Sequence, residues 1–532
     1  MTQALHHSPE CSNSSTFRSI LFNHRNVGRD IDGTPEPEFF ADLNLDQVVA
    51  SITAGRDEYN LKPYFYTPLS DVEAINYRYD ILQDLDNQEL FHRVKSFAQD
   101  MRTMRDHLVQ AEKLHYKSQR DSWFLDAVDI YCGAVRRITR DLAGTSLCSR
   151  GFLALREYLT SYIGSNEFEL IVTDTEKLKA GLSGVHYSIL LQGKRITVTS
   201  NTSEPDYGAD VLQTFDKFKQ GTAKQYRFRL SSAVDMNHVE AAILDMVAQL
   251  YPEVFLSLDA YCTRHRGYLQ NTIRTFDREV QFYIACFEYV DRLKQAGLVF
   301  CRPTLTDRSK EIHGYDVFDL ALAGTLIQER MAVITNDFYL RDPERIIVVS
   351  GPNQGGKTTF ARTFGQLHYL ASIGCPVPGR EGRLFLFDSL FTHFEKEEDI
   401  GKLSSKLEDE LIRIHRIIER ATSNSILIMN ESFLSTTLND ALFLSKEIMQ
   451  RIKALGMLCV SVTFLDELAS LDETIVSMVS TISPEDPALR TFKVIRKTAD
   501  GLAYAVAIAE KYGLTYDLVR GRITTVKGGI GR

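Results

Sequence analysis

No stretch of this 532-residue chain approaches the roughly 18 uninterrupted apolar residues that a membrane-spanning helix requires; even the apolar run at 317–327 is broken by Asp319. Cysteine pairing is absent as well. The eight cysteines are scattered without a C-x-x-C pair, which argues against a zinc site or a disulfide framework and fits a reducing cytoplasm. The opening MTQALHHSPECSNSS has neither a basic start nor an apolar core, so no secretory leader is expected and a flexible tail is. An excess of positive charge is missing too. The formal net charge of -9 argues against a protein that coats nucleic acid by its overall field, yet leaves room for a local basic surface. Internal repeats and low-complexity tracts are not found.

With 44% hydrophobic and 25% charged residues the composition is that of a globular protein, and the length implies two to four domains. After a tail over residues 1–41, helical periodicity dominates 42–320. Val72, Ile75, Tyr79, Ile81, Leu82 and Leu85, for example, fall near one face of a helix. Inside that region a β-rich segment is expected over about 181–232, where two β-prone runs flank Gln192-Gly193 as in a hairpin. Residues 321–532 read as an α/β domain.

The α/β domain carries the clearest chemical signal. The β-branched run Arg345-Ile-Ile-Val-Val-Ser350 leads into Gly351-Pro352-Asn353-Gln354-Gly355-Gly356-Lys357-Thr358, with Thr359 following, and then into a helix ended by Gly374. Strand, glycine-rich loop and helix in this order make a phosphate cradle. Backbone N–H groups turn inward, and the helix N-terminus adds its positive dipole end. Lys357 is expected on the β- and γ-phosphates of ATP and Thr358 on Mg²⁺. A second apolar run, 425–429, ends in Asn430-Glu431. Glu431 is placed to orient or deprotonate an attacking water, and Asn430 to accept a bond from the metal shell.

A third candidate is basic. Lys217, Lys219, Lys224, Arg227 and Arg229 interleave with Phe218, Tyr226 and Phe228 without an acid, a pattern that suits DNA phosphates. An exposed strand edge guarded by charge would have the same composition.

Several motifs resemble those of the MutS family of DNA mismatch repair ATPases. The loop from Gly351 to Thr358 is similar to the family's G-P-N-x-G-G-K-[ST]. Thr335-Asn336-Asp337, Cys375-Pro-Val-Pro378 and Asp388-Ser-Leu-Phe-Thr392 resemble its P-N-D, G-x-x-V-P and D-x-I-F-T elements. Gly401-Lys-Leu-Ser-Ser405 to Leu411 and Ala421-Thr-Ser-Asn-Ser425 resemble its S-T-F-x-x-E-M helix and A-T-x-x-S exit. Thr67-Pro68-Leu69, with Ile75, Arg78 and Leu82, resembles the start of the family's helical core. The resemblance implies an ABC-like P-loop NTPase domain behind a helical core and lever, a homodimer closed by ATP through the ATPase domains, and action on DNA in repair or recombination. It also implies that Ser405 meets the nucleotide of the partner subunit.

Departures qualify that expectation. Asn430 stands where the family has Asp, Thr463 stands where it has a γ-phosphate-sensing His, and Phe433-Leu434-Ser435 replaces a Gly-Arg-Gly-like stretch before Thr436-Thr437 and Asp440. Slow hydrolysis is expected, and an ATP-binding scaffold acting on protein partners is the alternative. No mismatch-recognition domain is expected ahead of the core and no nuclease domain after it, so recognition of mismatches is not assigned.

Overall fold

The computed structural model describes residues 17–23, 31–193, 195–200, 236–395, 406–483, 485, 489–498, 514–516 and 520. By its contacts the chain forms two units, Met1–Ile20 with Gln83–Asp277, and Leu21–Leu82 with Arg278–Arg532. This division departs from a tail over 1–41 and a break near 320. Phe17, Ile20, Leu21 and Phe22 are buried, and Phe40 and Leu43 are wholly so. Residues 21–82 and 278–320 group by contacts with the α/β unit.

The first unit is mainly helical. Helices Gln88–Lys113 and Lys117–Ala143 pack on each other, followed by Arg150–Ile163, Asn166–Ser183, His238–Leu250 and Pro252–Arg264. Side chains at the helix starts explain where these elements begin. Asn87, Ser149 and Ser165 each accept backbone N–H bonds, and Asn237 forms a reciprocal capping box with Glu240. Strands β1 (Tyr187–Gln192) and β2 (Arg195–Ser200) pair antiparallel through a turn at Gly193 with φ 61°. Residues 201–235 lie outside the described part.

In the second unit, β3 (Phe300–Cys301) pairs with β8 (Val377–Pro378). A four-stranded sheet has the order β4-β9-β5-β6, from β4 (Thr304–Thr306), β5 (Ile312–Val317), β6 (Asn336–Leu340) and β9 (Glu381–Phe385). The main sheet runs β10-β11-β12-β7-β13-β14, built from β7 (Ile346–Ser350), β10 (Leu390–Phe394), β11 (Ile426–Asn430), β12 (Leu458–Val462), β13 (Ile475–Ile482) and β14 (Arg490–Arg496). All its neighbours are parallel except β13 and β14. Strands β7, β11 and β12 are buried nearly throughout, which is why they read as continuous apolar runs. The aspartate inside the 317–327 run also has a reason. Asp319 caps helix Leu320–Gln328 by accepting from Leu322 N–H at 2.9 Å.

Helix Lys357–Ser372 is enclosed by the segment that precedes it by 300 residues or so in sequence. Arg362 Nε donates to Asp42 O (2.8 Å), Gln366 Nε2 to Leu43 O (2.9 Å), and the Tyr369 hydroxyl to Phe65 O (2.8 Å). At its far end Leu69 N–H donates to Ser372 O (2.9 Å), and Arg78, with no exposed surface, donates to Ile373 O (2.6 Å) and Leu21 O (3.0 Å). Gly374, φ 71°, has no space for a side chain, since a Cβ there would lie 2.8 Å from Arg78 Cδ. The motif from Thr67 to Leu82 therefore anchors the helix that opens at the glycine-rich loop.

Candidate functional site

The loop between β7 and helix Lys357–Ser372 turns on three left-handed residues, Gly351 (φ 114°), Gln354 (φ 60°) and Gly356 (φ 90°). Two glycines are sterically required. A Cβ on Gly351 would lie 2.8 Å from Ser480 O, and one on Gly355 2.1 Å from Ser480 Oγ. Strand β13 thus lies directly against the loop and leaves room only for backbone. Pro352 is buried, Asn353 and Gln354 are exposed, and Thr359 follows in the first helical turn.

Lys357 folds back into the loop. Its Nζ donates to Gly351 O (3.0 Å), Pro352 O (3.2 Å) and Asn353 Oδ1 (3.3 Å). Burial lowers its pKa, with Glu431 opposing that shift and Arg490 adding to it. A buried ammonium held by two backbone oxygens and one side-chain amide oxygen, at a helix N-terminus, is set to exchange those bonds for phosphate oxygens.

The end of β11 meets this loop. Thr358 Oγ1 donates to Asn430 Oδ1 at 2.8 Å. Glu431, half-buried, has φ 51° and donates its N–H to Val462 O (2.9 Å), so its side chain leaves the strand end at an angle that an extended residue would not give. Thr463 is buried at the end of β12. Its N–H bonds Val349 O (3.0 Å), and its hydroxyl accepts from Leu465 N–H (3.0 Å), capping the turn into the short helix Asp466–Ser470. Lys357, Thr358, Asn430, Glu431 and Thr463 are thereby gathered at the ends of β7, β11 and β12.

Thr358 and Asn430 offer two hard oxygen donors. No group of three or more His, Cys, Asp or Glu side chains among the described residues would hold a metal unaided. That donor set fits Mg²⁺, which takes few protein ligands, keeps waters and shares phosphate oxygens.

Sequence motifs taken separately above are physically joined. Asp388 accepts from Ser425 Oγ (2.8 Å) and from Thr422 Oγ1, linking the segment before β10 to the segment before β11. Local pattern did not disclose the brace behind Glu431. Buried Glu410, on helix Lys406–Arg420, accepts from Phe433 N–H (2.9 Å), where Phe433 has φ 65°. His393 on β10 bonds Ser432 Oγ (2.9 Å) and Glu410 O (3.3 Å). Both residues stand within or beside quoted motifs, which was the available signal. Ser405, Lys217, Lys219, Lys224, Arg227 and Arg229 lie outside the described residues.

The family description MutS domain V matches residues 347–525, and MutS2 N-terminal domain matches residues 70–296. The chain belongs to the MutS family. Its similar relatives include the DNA mismatch repair protein MutS of Lactococcus lactis subsp. cremoris, 26% identical over 318 residues, which are 57% of this chain and 36% of the relative. The MutS of Halalkalibacterium halodurans is 27% identical over 186 residues, 34% of this chain and 21% of that protein. That of Rickettsia bellii is 28% identical over 199 residues, with shares of 36% and 22%. The matches span well under half of these relatives' lengths. Among the described residues no single helix is long and apolar enough to cross a membrane.

Proposed function

We propose that this MutS-family chain is an ATP-binding protein and slow ATPase that couples ATP-driven closure of a homodimer to DNA binding, in repair or recombination and apart from classical mismatch recognition. The observation that carries the reading is the Lys357 ammonium held among the loop oxygens beside the Thr358–Asn430 pair. On this reading the α/β unit is a P-loop NTPase of the ABC-like kind. Residues 351–359 take the phosphates, Lys357 neutralises the β- and γ-phosphates, and Thr358 with Asn430 holds Mg²⁺. Bound there, Mg²⁺ supplies positive charge to the phosphate oxygens. Glu431 orients the water and takes its proton as the oxygen attacks the γ-phosphorus and ADP departs. Thr463 occupies the position that senses the γ-phosphate. Ser405 is proposed to complete the partner's site, and Lys217, Lys219, Lys224, Arg227 and Arg229 to contact DNA phosphates.

The second reading is an ATP-binding scaffold that scarcely hydrolyses and acts on protein partners. It is favoured by the amide at position 430 and by the Thr463 hydroxyl, which is engaged by Leu465 N–H. Parallel binding and turnover measurements separate the two, made with and without duplex, mismatched and branched DNA. Lys357→Ala is expected to lose most ATP affinity while remaining folded. Glu431→Ala is expected to keep ATP and lose turnover by roughly 10²- to 10⁴-fold, as for removal of a general base. Equal ATP binding by folded Lys357→Ala would reject the site. Hydrolysis unchanged in Glu431→Ala would reject the role of Glu431, and undetectable hydrolysis by the unchanged protein would select the scaffold.

A further inference from the structure

Three successive residues carry the chain away from the end of β11, and none of them is glycine. Glu431 has φ 51° and Phe433 φ 65°, both in the left-handed region, with Ser432 between them. Strain of this kind persists where the surrounding structure over-determines it. Here each residue is tied to a different element. Glu431 N–H donates to Val462 O on β12 (2.9 Å), and Phe433 N–H donates to Glu410 Oε2 on helix Lys406–Arg420 (2.9 Å). Between them, Ser432 Oγ meets Nδ1 of His393 on β10 (2.9 Å).

His393 is buried, and the partner of its other nitrogen decides which one carries the proton. Nε2 lies 3.3 Å from Glu410 O. A backbone carbonyl only accepts, so in the neutral imidazole Nε2 holds the proton and Nδ1 is the acceptor. The Ser432 hydroxyl therefore donates to Nδ1. Glu410 enters this arrangement twice, through its carbonyl to His393 and through its side chain to Phe433. The contacts close into a ring, His393 to Ser432, along the chain to Phe433, then to Glu410 and back. Phe433 has no exposed surface, and its ring centroid is 6.1 Å from that of His393.

We infer that His393 is a positioning residue for Glu431: by holding the Ser432 hydroxyl it fixes the direction in which the adjacent carboxylate leaves the strand end. It acts through Ser432 and the turn, not by contact with the reacting atoms. The inference rests on the reading of Glu431 as the group that orients the water, and adds what keeps that group in place. A misplaced acid–base group loses rate and leaves affinity alone, since the loop from Gly351 to Thr358 takes the phosphates without Glu431. A displacement of about 1 Å at such a group costs roughly 10²-fold in rate.

The test measures ATP affinity by equilibrium titration and turnover at saturating ATP in the full chain. His393→Phe keeps a buried ring and loses both hydrogen bonds. Ser432→Ala removes one oxygen and tests the same bond should His393→Phe not fold. In each, kcat is expected to fall by roughly 10- to 100-fold with the Kd for ATP unchanged. The double variant is expected to lose no more than the worse single one, because both changes delete one interaction. In a Glu431→Ala background, Ser432→Ala is expected to cost nothing further. A Kd that rises as much as kcat falls, or a loss that persists without Glu431, would make the pair a support of the fold and overturn the inference. Turnover that needs Glu431 but not Ser432 would overturn the inference alone. Turnover indifferent to Glu431, or none in the unchanged protein, would remove the reading of Glu431 and the inference with it.

Discussion

The hydroxyl of Thr358 donates to the side-chain oxygen of Asn430 across 2.8 Å, tying the first turn of the loop helix to the end of β11. The pair comes from positions 72 residues apart and joins the two halves of the proposed site. An amide there gives oxygen without charge. Asn430→Asp keeps the acceptor and adds a negative charge beside Thr358. Its expected effect is on the order of a tenfold lower Mg²⁺ requirement for ATP turnover, since a charge-assisted interaction exceeds a neutral one by about 1–1.5 kcal/mol. Turnover measured over a Mg²⁺ titration checks this. An unchanged half-saturation point would show that position 430 does not limit the metal.

Arg78 carries a charge in a place with no exposed surface. Its compensation comes from the carbonyls of Leu21 and Ile373 and from the faces of Phe22 and Phe282, 5.2 and 5.1 Å from the guanidinium carbon. Burial lowers its pKa, opposed by the neighbouring Tyr283, Cys375, Glu279 and Cys286. Arg78→Met preserves much of the volume and leaves both carbonyls unpaired, at about 1–3 kcal/mol for each buried unsatisfied group. Urea unfolding of the α/β unit is expected to shift to lower concentration accordingly. ATP affinity should fall too, because the same contacts hold the far end of helix Lys357–Ser372.

Glu410 gives a pH dependence whose sign can be worked out. Burial raises its pKa above the ordinary value of 4.5, partly offset by the Phe433 N–H bond and Arg413. A carboxyl group raised in the folded state contributes stability that is fully present below the unfolded pKa and lost as pH rises through the folded one. Glu410→Gln does not titrate and still accepts from Phe433. The variant is expected to gain in melting temperature relative to the unchanged protein as pH rises from 4 to 7. A constant difference across that range would mean that Glu410 titrates alike in both states.

Much of the site was legible because its parts are local. The loop from Gly351 to Thr358, its strand and its helix are contiguous, and the Asn430-Glu431 pair ends a run whose burial on both faces makes it continuously apolar. The hairpin β1–β2 announced itself through Gly193 between two β-prone runs. The domain limits were less legible. Thr392 Oγ1 donates to Asp42 Oδ2 across 350 sequence positions, and Arg78 reaches Ile373 across 295. Periodicity identifies residues 42–82 as helical without revealing which core those helices serve.

The amino-acid sequence by itself determined the chemistry within reach of one strand–loop–helix unit. Glycine is the residue that tolerates the loop's backbone, and a lysine and threonine at the following helix start present a charge and a hydroxyl. Only the tertiary structure decided what surrounds that unit. Ser480 lies against the glycines, Glu410 holds the backbone behind Glu431, and His393 reaches Ser432 from β10. The physical reason is that local dihedral preferences act over a few residues, whereas these contacts exist only after strands distant in sequence have paired and fixed their register.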